Sequence, residues 1–296
     1  MANTLPTATL GRTGLEVTRL GYGAMELRAM EPSAEVETVL NAVLDAGINY
    51  IDTSNDYGRS EEHIGRYISK RRSEYFLATK CGCIPGGGEH IFTSENLFRA
   101  LEESLERMRT DYIDVMQLHG GTVEQIKDGG IVEVLEEMRS SGKVRWIGTS
   151  TRLPSLPTFL DSGAFDEFQI PYSALERDHE DLITKSAKVG IGTVIRGGVA
   201  KGEPGVGRGT ADRWEKFGDA RLDDLREDGE GRSVFMLRLT LSHPDIHTII
   251  AGTKNPEHLR ENVDAASRGP LPPETYSEAM RRLSEAGVSA ADAAGV

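Results

Sequence analysis

The chain has 296 residues, 38% hydrophobic and 27% charged, which suits one large globular domain with a sizeable core rather than a disordered chain. Its formal net charge of -13 at pH 7 would repel a phosphate backbone and no basic block offsets it, so nucleic acid is not an expected partner. No apolar run approaches the roughly 18 residues a spanning helix needs, and the opening MANTLPTATLGRTG has neither the basic start nor the apolar core of a signal peptide, so a cytoplasmic protein without membrane contact is expected.

Taken in chain order, the first strand candidate is residues 18–25, TRLGYGAM. A helix follows over residues 33–47, where Val36, Val39, Leu40, Val43 and Leu44 recur at helical spacing and Gly47 suits the C-cap. The second strand, residues 48–54 (INYIDTS), carries Asp52 at its end and runs on into DTSNDYGRSEEHIG with Tyr57. The third, residues 74–80 (EYFLATK), ends on Lys80. Cys81 and Cys83 stand just beyond it, too few for a disulfide framework or, by themselves, a four-ligand zinc site, and read as plain thiols. Residues 94–108 form a helix whose Leu97, Leu101, Leu105 and Met108 make one apolar stripe, the face that covers a sheet. The fourth strand, residues 111–119 (DYIDVMQLH), ends on His119. Residues 144–150 (VRWIGTS), 167–173 (EFQIPYS) and 192–198 (GTVIRGG) supply three more.

Residues 201–232 are rich in glycine and charge and read as a long irregular loop, with Trp214 either touching substrate or pinning the loop to the body. His243 and His247 are four apart, but Pro244 points to a surface turn rather than a metal-binding helix before the eighth strand, residues 245–252 (DIHTIIAG). From about residue 270 a tail with a closing helix is expected. Eight strand and helix units in alternation predict an α/β fold over residues 1–296. The count of eight, and the absence of GxGxxG after the first strand, favour a closed (β/α)8 TIM barrel over an open doubly wound sheet.

In such a barrel the chemistry sits where strands end. Asp52, Tyr57, Lys80 and His119 all fall there, four titratable residues on adjacent strand ends, and they share a task. Reducing a carbonyl needs a hydride at carbon and a proton at oxygen, and the proton must come from a group held against that oxygen. A phenol titrates at about 10. An ammonium beside it stabilises the phenolate, and a carboxylate paired with the ammonium keeps it charged and in place. Tyr57 is therefore the expected acid, Lys80 its tuner, Asp52 the anchor, and His119 a donor that orients the substrate.

The ordered set LGRTGLEVTRLGYGAM, DTSNDYG, FLATK, MQLH, WIGTS, FQIPYS and AGTKNPEHLRENVDA resembles the aldo-keto reductases across almost the whole chain. That resemblance implies the (β/α)8 fold, NADPH or NADH as hydride donor, an aldehyde or ketone as small-molecule substrate, and the same four residues at the centre. It also implies that Ser150 and Gln169 hold the nicotinamide carboxamide. Gly23, Ala24 and Met25 would lie against the cofactor. Gly252, Thr253, Lys254, His258, Glu261 and Asn262 would clamp its adenosine end, where a helix beginning near Pro256 aims its amides at a phosphate. Three positions depart from the family pattern: Thr151 follows Ser150 where asparagine is common, His258 stands where many members have arginine, and Arg196 replaces the aromatic residue that stacks on the nicotinamide. No metal site is expected and the oligomeric state is left open. The alternatives are a redox-sensing or regulatory subunit that binds the same cofactor, and a metal-dependent barrel hydrolase. No GxSxG motif supports a serine hydrolase.

Overall fold

The computed structural model describes residues 4–84, 88–205 and 207–290. It opens with a short antiparallel hairpin, β1 (Thr7–Thr9) and β2 (Glu16–Thr18), which has no counterpart in the sequence reading because three-residue strands carry too little alternation to be seen. The next eight strands are β3 (Leu20–Gly23), β4 (Tyr50–Asp52), β5 (Phe76–Cys81), β6 (Ile113–His119), β7 (Val144–Ser150), β8 (Glu167–Pro171), β9 (Gly192–Arg196) and β10 (Thr248–Ala251). All pair in parallel with their neighbours in chain order, and β10 pairs with β3, so the sheet closes into the expected (β/α)8 barrel. Every barrel strand coincides with a predicted one.

The hairpin plugs the N-terminal end. Leu10 and Val17 are fully buried with Tyr50, Ala78, Val115 and Val194 of the barrel interior. Gly11 permits the close approach: it sits at φ +49°, and a Cβ there would lie 2.5 Å from the Gly190 carbonyl oxygen.

Around the barrel run α1 (Ala34–Asp45), α2 (Ser60–Tyr67), α3 (Ser94–Met108), α4 (Val123–Asp128), α5 (Ile131–Ser140), α6 (Ser155–Ser162), α7 (Glu180–Lys188), α8 (Ala211–Asp219), α9 (Arg232–Leu241), α10 (Pro256–Ser267) and α11 (Pro273–Glu285). Ser33 caps α1 by accepting from the Val36 amide, and Gly47 follows the C-cap residue Ala46 at φ +83°. In α3 the stripe of Leu97, Leu101, Leu105 and Met108 is buried against the barrel, as its spacing requires. No described helix is long and apolar enough to cross a membrane.

Two readings are corrected. Residues 201–232 are not irregular throughout, since they contain α8 and a 3-10 turn over Leu222–Leu225. Trp214 and Phe217, one helical turn apart with ring centroids 5.5 Å from each other, are buried in a second core with Leu222, Phe235, Leu239 and Leu283. The glycine and charge around them masked this short amphipathic turn, and Trp214 pins the segment to α9 and α11. The second correction concerns His243, which lies in a turn but is buried edge-on to Tyr172, at 5.6 Å between centroids. It accepts from the Asp245 amide, while His247 accepts from that of Thr193.

At Gly65 in α2 the helices approach so closely that an added Cβ would lie 2.0 Å from the Arg107 carbonyl oxygen of α3. A backbone carbonyl cannot swing aside as a flexible side chain can. Gly65→Ala is therefore expected to destabilise the fold by about 1–3 kcal/mol, read as a lower urea midpoint at unchanged slope. An unshifted midpoint would show that the two helices separate freely.

Candidate active site

The C-terminal mouth of the barrel collects the polar strand ends. Register alone sets His119 of β6 opposite Ser150 of β7, and Ser150 opposite Gln169 of β8. Lys80 of β5 is fully buried, with Nζ 2.7 Å from both carboxylate oxygens of Asp52 and 2.7 Å from the Thr53 carbonyl, so its three hydrogens are all engaged. Gln169 donates from Nε2 to Asp52 at 2.7 Å and accepts at Oε1 from Ser150 at 3.1 Å. One chain of hydrogen bonds thus ties β5, β4, β8 and β7 together. Burial, the largest single effect, lowers the Lys80 pKa. Asp52, with Tyr57 and Glu167, together outweighs it and the net pKa is raised, which keeps the ammonium.

Tyr57 is positioned by the turn after β4. Its amide bonds to the Ser54 carbonyl, and Gly58 at φ +46° lets the chain pass under Arg28, whose carbonyl oxygen lies 2.3 Å from where a Cβ would be. Lys80 Nζ lies 5.0 Å from the Tyr57 ring centroid, and the His119 ring is edge-on to it at 5.9 Å. The four central residues predicted from sequence are therefore adjacent. Their electrostatics differ from the expectation in one respect: the Tyr57 pKa is raised, not lowered. Burial, the largest cause, penalises the phenolate more than Lys80 favours it, and Asp52 and Asp56 add to the rise. The Lys80 charge is already largely balanced by its two bonds to Asp52.

His119 is held through Nδ1, which is 2.9 Å from Cys83 Sγ, 3.3 Å from Ser54 Oγ and 3.4 Å from Asp56 Oδ1. Burial draws its pKa down against the upward pull of Asp56. Asp56 itself is held at about 2 although burial opposes its charge, because His119 and Ser54 hydrogen-bond to it. Burial pushes the Cys83 thiol up to about 12. The sequence reading missed Ser54, Asp56, Cys83 and His90. Asp56 was within reach, adjoining Tyr57, but nothing in the spacing brings Cys83 or His90 to His119.

Arg196 ends β9, half-buried at the same mouth. Burial lowers its pKa while Tyr57 and Asp52 raise it, so the guanidinium lies within electrostatic reach of both. Thr151 is buried beside Ser150, its amide bonded to the Gln169 carbonyl. Gly23 and Ala24 are buried at the end of β3, which leaves half-buried Met25 as the accessible one of the three.

Beside them the β10–α10 turn is anchored by Tyr22, whose hydroxyl donates to the Thr253 carbonyl at 2.7 Å. Gly252 is exposed there and presses so close to β3 that a Cβ would lie 2.7 Å from the Gly23 carbonyl oxygen. Asn255 caps α10 by accepting from the Glu257 amide at 2.9 Å. Lys254 and Glu261 are exposed, His258 and Asn262 half-buried. Arg260 reaches Glu257 at 3.4 Å, whereas Lys254 forms no ion pair among the described residues. A bare glycine ledge, a helix N-terminus and an uncommitted ammonium fit the phosphate end of a dinucleotide. Gln169 keeps one N–H and one lone pair for an amide such as the nicotinamide's.

The buried pair gives a direct test of what holds the mouth together. Asp52→Asn leaves the Lys80 ammonium buried without its counter-charge, which should cost about 3–5 kcal/mol of stability. Urea denaturation should also find Asp52→Asn with Lys80→Met less destabilised than the sum of the single changes. Additive losses would mean that the two residues act independently.

The model for the Aldo/keto reductase family matches residues 19–285. The Bacillus subtilis (strain 168) protein named uncharacterized oxidoreductase YqkF is 30% identical over 279 residues, covering 87% of this chain and 90% of its own. The NADH-specific methylglyoxal reductase of Escherichia coli (strain K12) is 26% identical over 303 residues, with 86% and 92% coverage. Among solved structures, the holo form of aldo-keto reductase AKR11C1 from Bacillus halodurans superposes with a TM-score of 0.82 at 28% identity, covering 94% of this chain and 96% of that one.

Proposed function

This chain belongs to the aldo/keto reductase family and is a nicotinamide-dependent oxidoreductase of small carbonyl compounds; on that premise we propose that Tyr57 delivers the proton, Lys80 and Asp52 support it, and His119 orients the carbonyl. When bound, the reduced nicotinamide supplies the hydride. The observation that carries the assignment is the Lys80 ammonium, bonded at 2.7 Å to both Asp52 oxygens and 5.0 Å from the Tyr57 ring.

The raised pKa of Tyr57 keeps its proton in place until an oxygen with developing negative charge meets it. As the proton leaves, the phenolate forms beside a permanent ammonium, which offsets the cost of a buried anion. Asp52 keeps Lys80 charged, and Gln169 and Ser150 keep Asp52 aligned. Burial holds the His119 pKa down, and in the tautomer whose Nδ1 accepts from the Cys83 thiol at 2.9 Å its Nε2–H can donate to the carbonyl oxygen. Arg196, within electrostatic reach of Tyr57, supplies a guanidinium for an anionic group of substrate or for stacking on the flat nicotinamide ring.

Tyr57→Phe keeps the ring and removes the proton. Cofactor affinity should be unchanged while turnover of a good aldehyde falls roughly 100- to 10,000-fold, the range general acid catalysis supplies. Turnover at the wild-type rate would remove Tyr57 from the role.

For the cofactor we infer a preference for NADPH over NADH, because Lys254, with His258 and Arg260 nearby, lies exposed just before α10 and forms no ion pair among the described residues. One relative is named for NADH specificity, so the choice turns on this chain's own residues. Fluorescence titration of both cofactors onto the wild type and Lys254→Ala should show tighter NADPH binding that the substitution weakens roughly tenfold, as expected for a charge-assisted bond worth about 1.5–3 kcal/mol partly screened by solvent. Equal affinity of the wild type for the two would end this reading.

A further inference from the structure

Four metal-ligating side chains converge beside the proton-delivery set. Asp56 comes from the turn after β4, Cys83 from just beyond β5, His90 from the approach to α3, and His119 from the end of β6. One donor atom of each lies within 4.8 Å of the others. His119 Nδ1 is 2.9 Å from Cys83 Sγ and 3.4 Å from Asp56 Oδ1, and the imidazoles of His90 and His119 lie 5.0 Å apart, 28° from parallel. In a tetrahedral zinc site, bonds of about 2.0–2.3 Å put the donor atoms about 3.3–3.8 Å apart. The observed spacings bracket that range, so small side-chain rotations would close the shell.

The backbone holds the ligands in place. The Ile91 amide bonds to the Gly82 carbonyl at 2.6 Å, closing the neck of the loop that carries Cys83 and His90. Asn96 donates to Ile91 O at 2.7 Å, and Asn55 to Cys83 O at 3.4 Å. Gly82 at φ +95° makes room for Phe92, whose ring lies 2.4 Å from where a Cβ would be. Ser54 donates to Asp56 and orients it, an outer partner of the kind that tunes metal ligands.

We propose that Asp56, Cys83, His90 and His119 form a binding site for a zinc-class divalent ion. Two neutral imidazoles, one thiolate and one carboxylate around a dication give a complex with no net charge, and the ion displaces the thiol proton of Cys83 to solvent. Such a borderline, sulfur-containing donor set favours Zn2+ or Co2+ over Mg2+ or Ca2+, which take oxygen shells. His119 is shared with the proposed reductase site, so metal binding is tested by readouts that do not depend on turnover.

Full-length protein stripped with a chelator is titrated with Zn2+ by calorimetry and with Co2+ by absorption. One ion should bind per chain, and Co2+ should show a thiolate charge-transfer band together with the intense visible bands of a tetrahedral site. Cys83→Ser should abolish the charge-transfer band, whereas Cys81→Ser should keep it. Cys83→Ser and His90→Ala should each weaken Zn2+ binding at least about tenfold, the lower end of what losing even an outer partner costs. Circular dichroism of the variants establishes that they are folded. Absence of stoichiometric binding, a Co2+ spectrum lacking the thiolate band, or Zn2+ affinity unchanged in both variants overturns the proposal. Zinc binding by a chain that reduces no carbonyl would count against the reductase roles alone.

Discussion

The active mouth depends on one buried ion pair. A fully buried lysine is tolerated only if its charge is met at close range, because an unpaired ammonium away from water costs several kcal/mol. Lys80 meets that demand with two bonds to Asp52 and one to the Thr53 carbonyl. Asp52 is in turn fixed by Gln169, and Gln169 by Ser150. Four of the eight barrel strands are therefore locked at their C-terminal ends by a single network. Tyr57, set by the turn after β4, has its ring 5.0 Å from the Lys80 ammonium, and the His119 ring stands edge-on to that of Tyr57.

That network also sets the electrostatic character of the mouth. Burial raises the Tyr57 pKa by more than Lys80 lowers it, and Asp52 adds to the rise. His119 is pushed toward its neutral form by the same burial. Deeper in the barrel, burial and the nearby Asp52 drive Glu167 toward the neutral acid, although Lys80 pulls the other way. Lys80 and Asp52 form the ion pair at the centre of this interior, while burial favours the protonated forms of Tyr57 and Glu167. A site built this way favours proton donation at the moment charge develops on substrate, rather than a standing phenolate.

The periphery serves the mouth by packing. The N-terminal hairpin seals the opposite end with Leu10 and Val17, so the barrel interior is closed below the ion pair. The excursion after β9 is fastened by its own core around Trp214 and Phe217, and Arg208 reaches back to an ion pair with Glu26 in the turn after β3. That contact carries the segment from the rim of β9 past β10 to the rim of β3, alongside the Gly252 ledge.

What the sequence by itself determined is periodic or punctuated. Apolar runs bounded by turn residues marked all eight barrel strands, 3.6-residue spacing marked α1 and α3, and polar residues at strand ends marked Asp52, Lys80 and His119, because each of these signals is local. Only tertiary structure decided which distant groups meet. Gln169 reaches Asp52 across 117 positions of chain and Cys83 reaches His119 across 36, and neither distance leaves a trace in spacing. The same holds for α8, whose short apolar face lies among glycines and charges, and for the buried turn at His243. It holds most clearly for Tyr57: the sequence showed an ammonium close enough to lower its pKa, but burial is a property of the packed barrel, and burial reversed the sign.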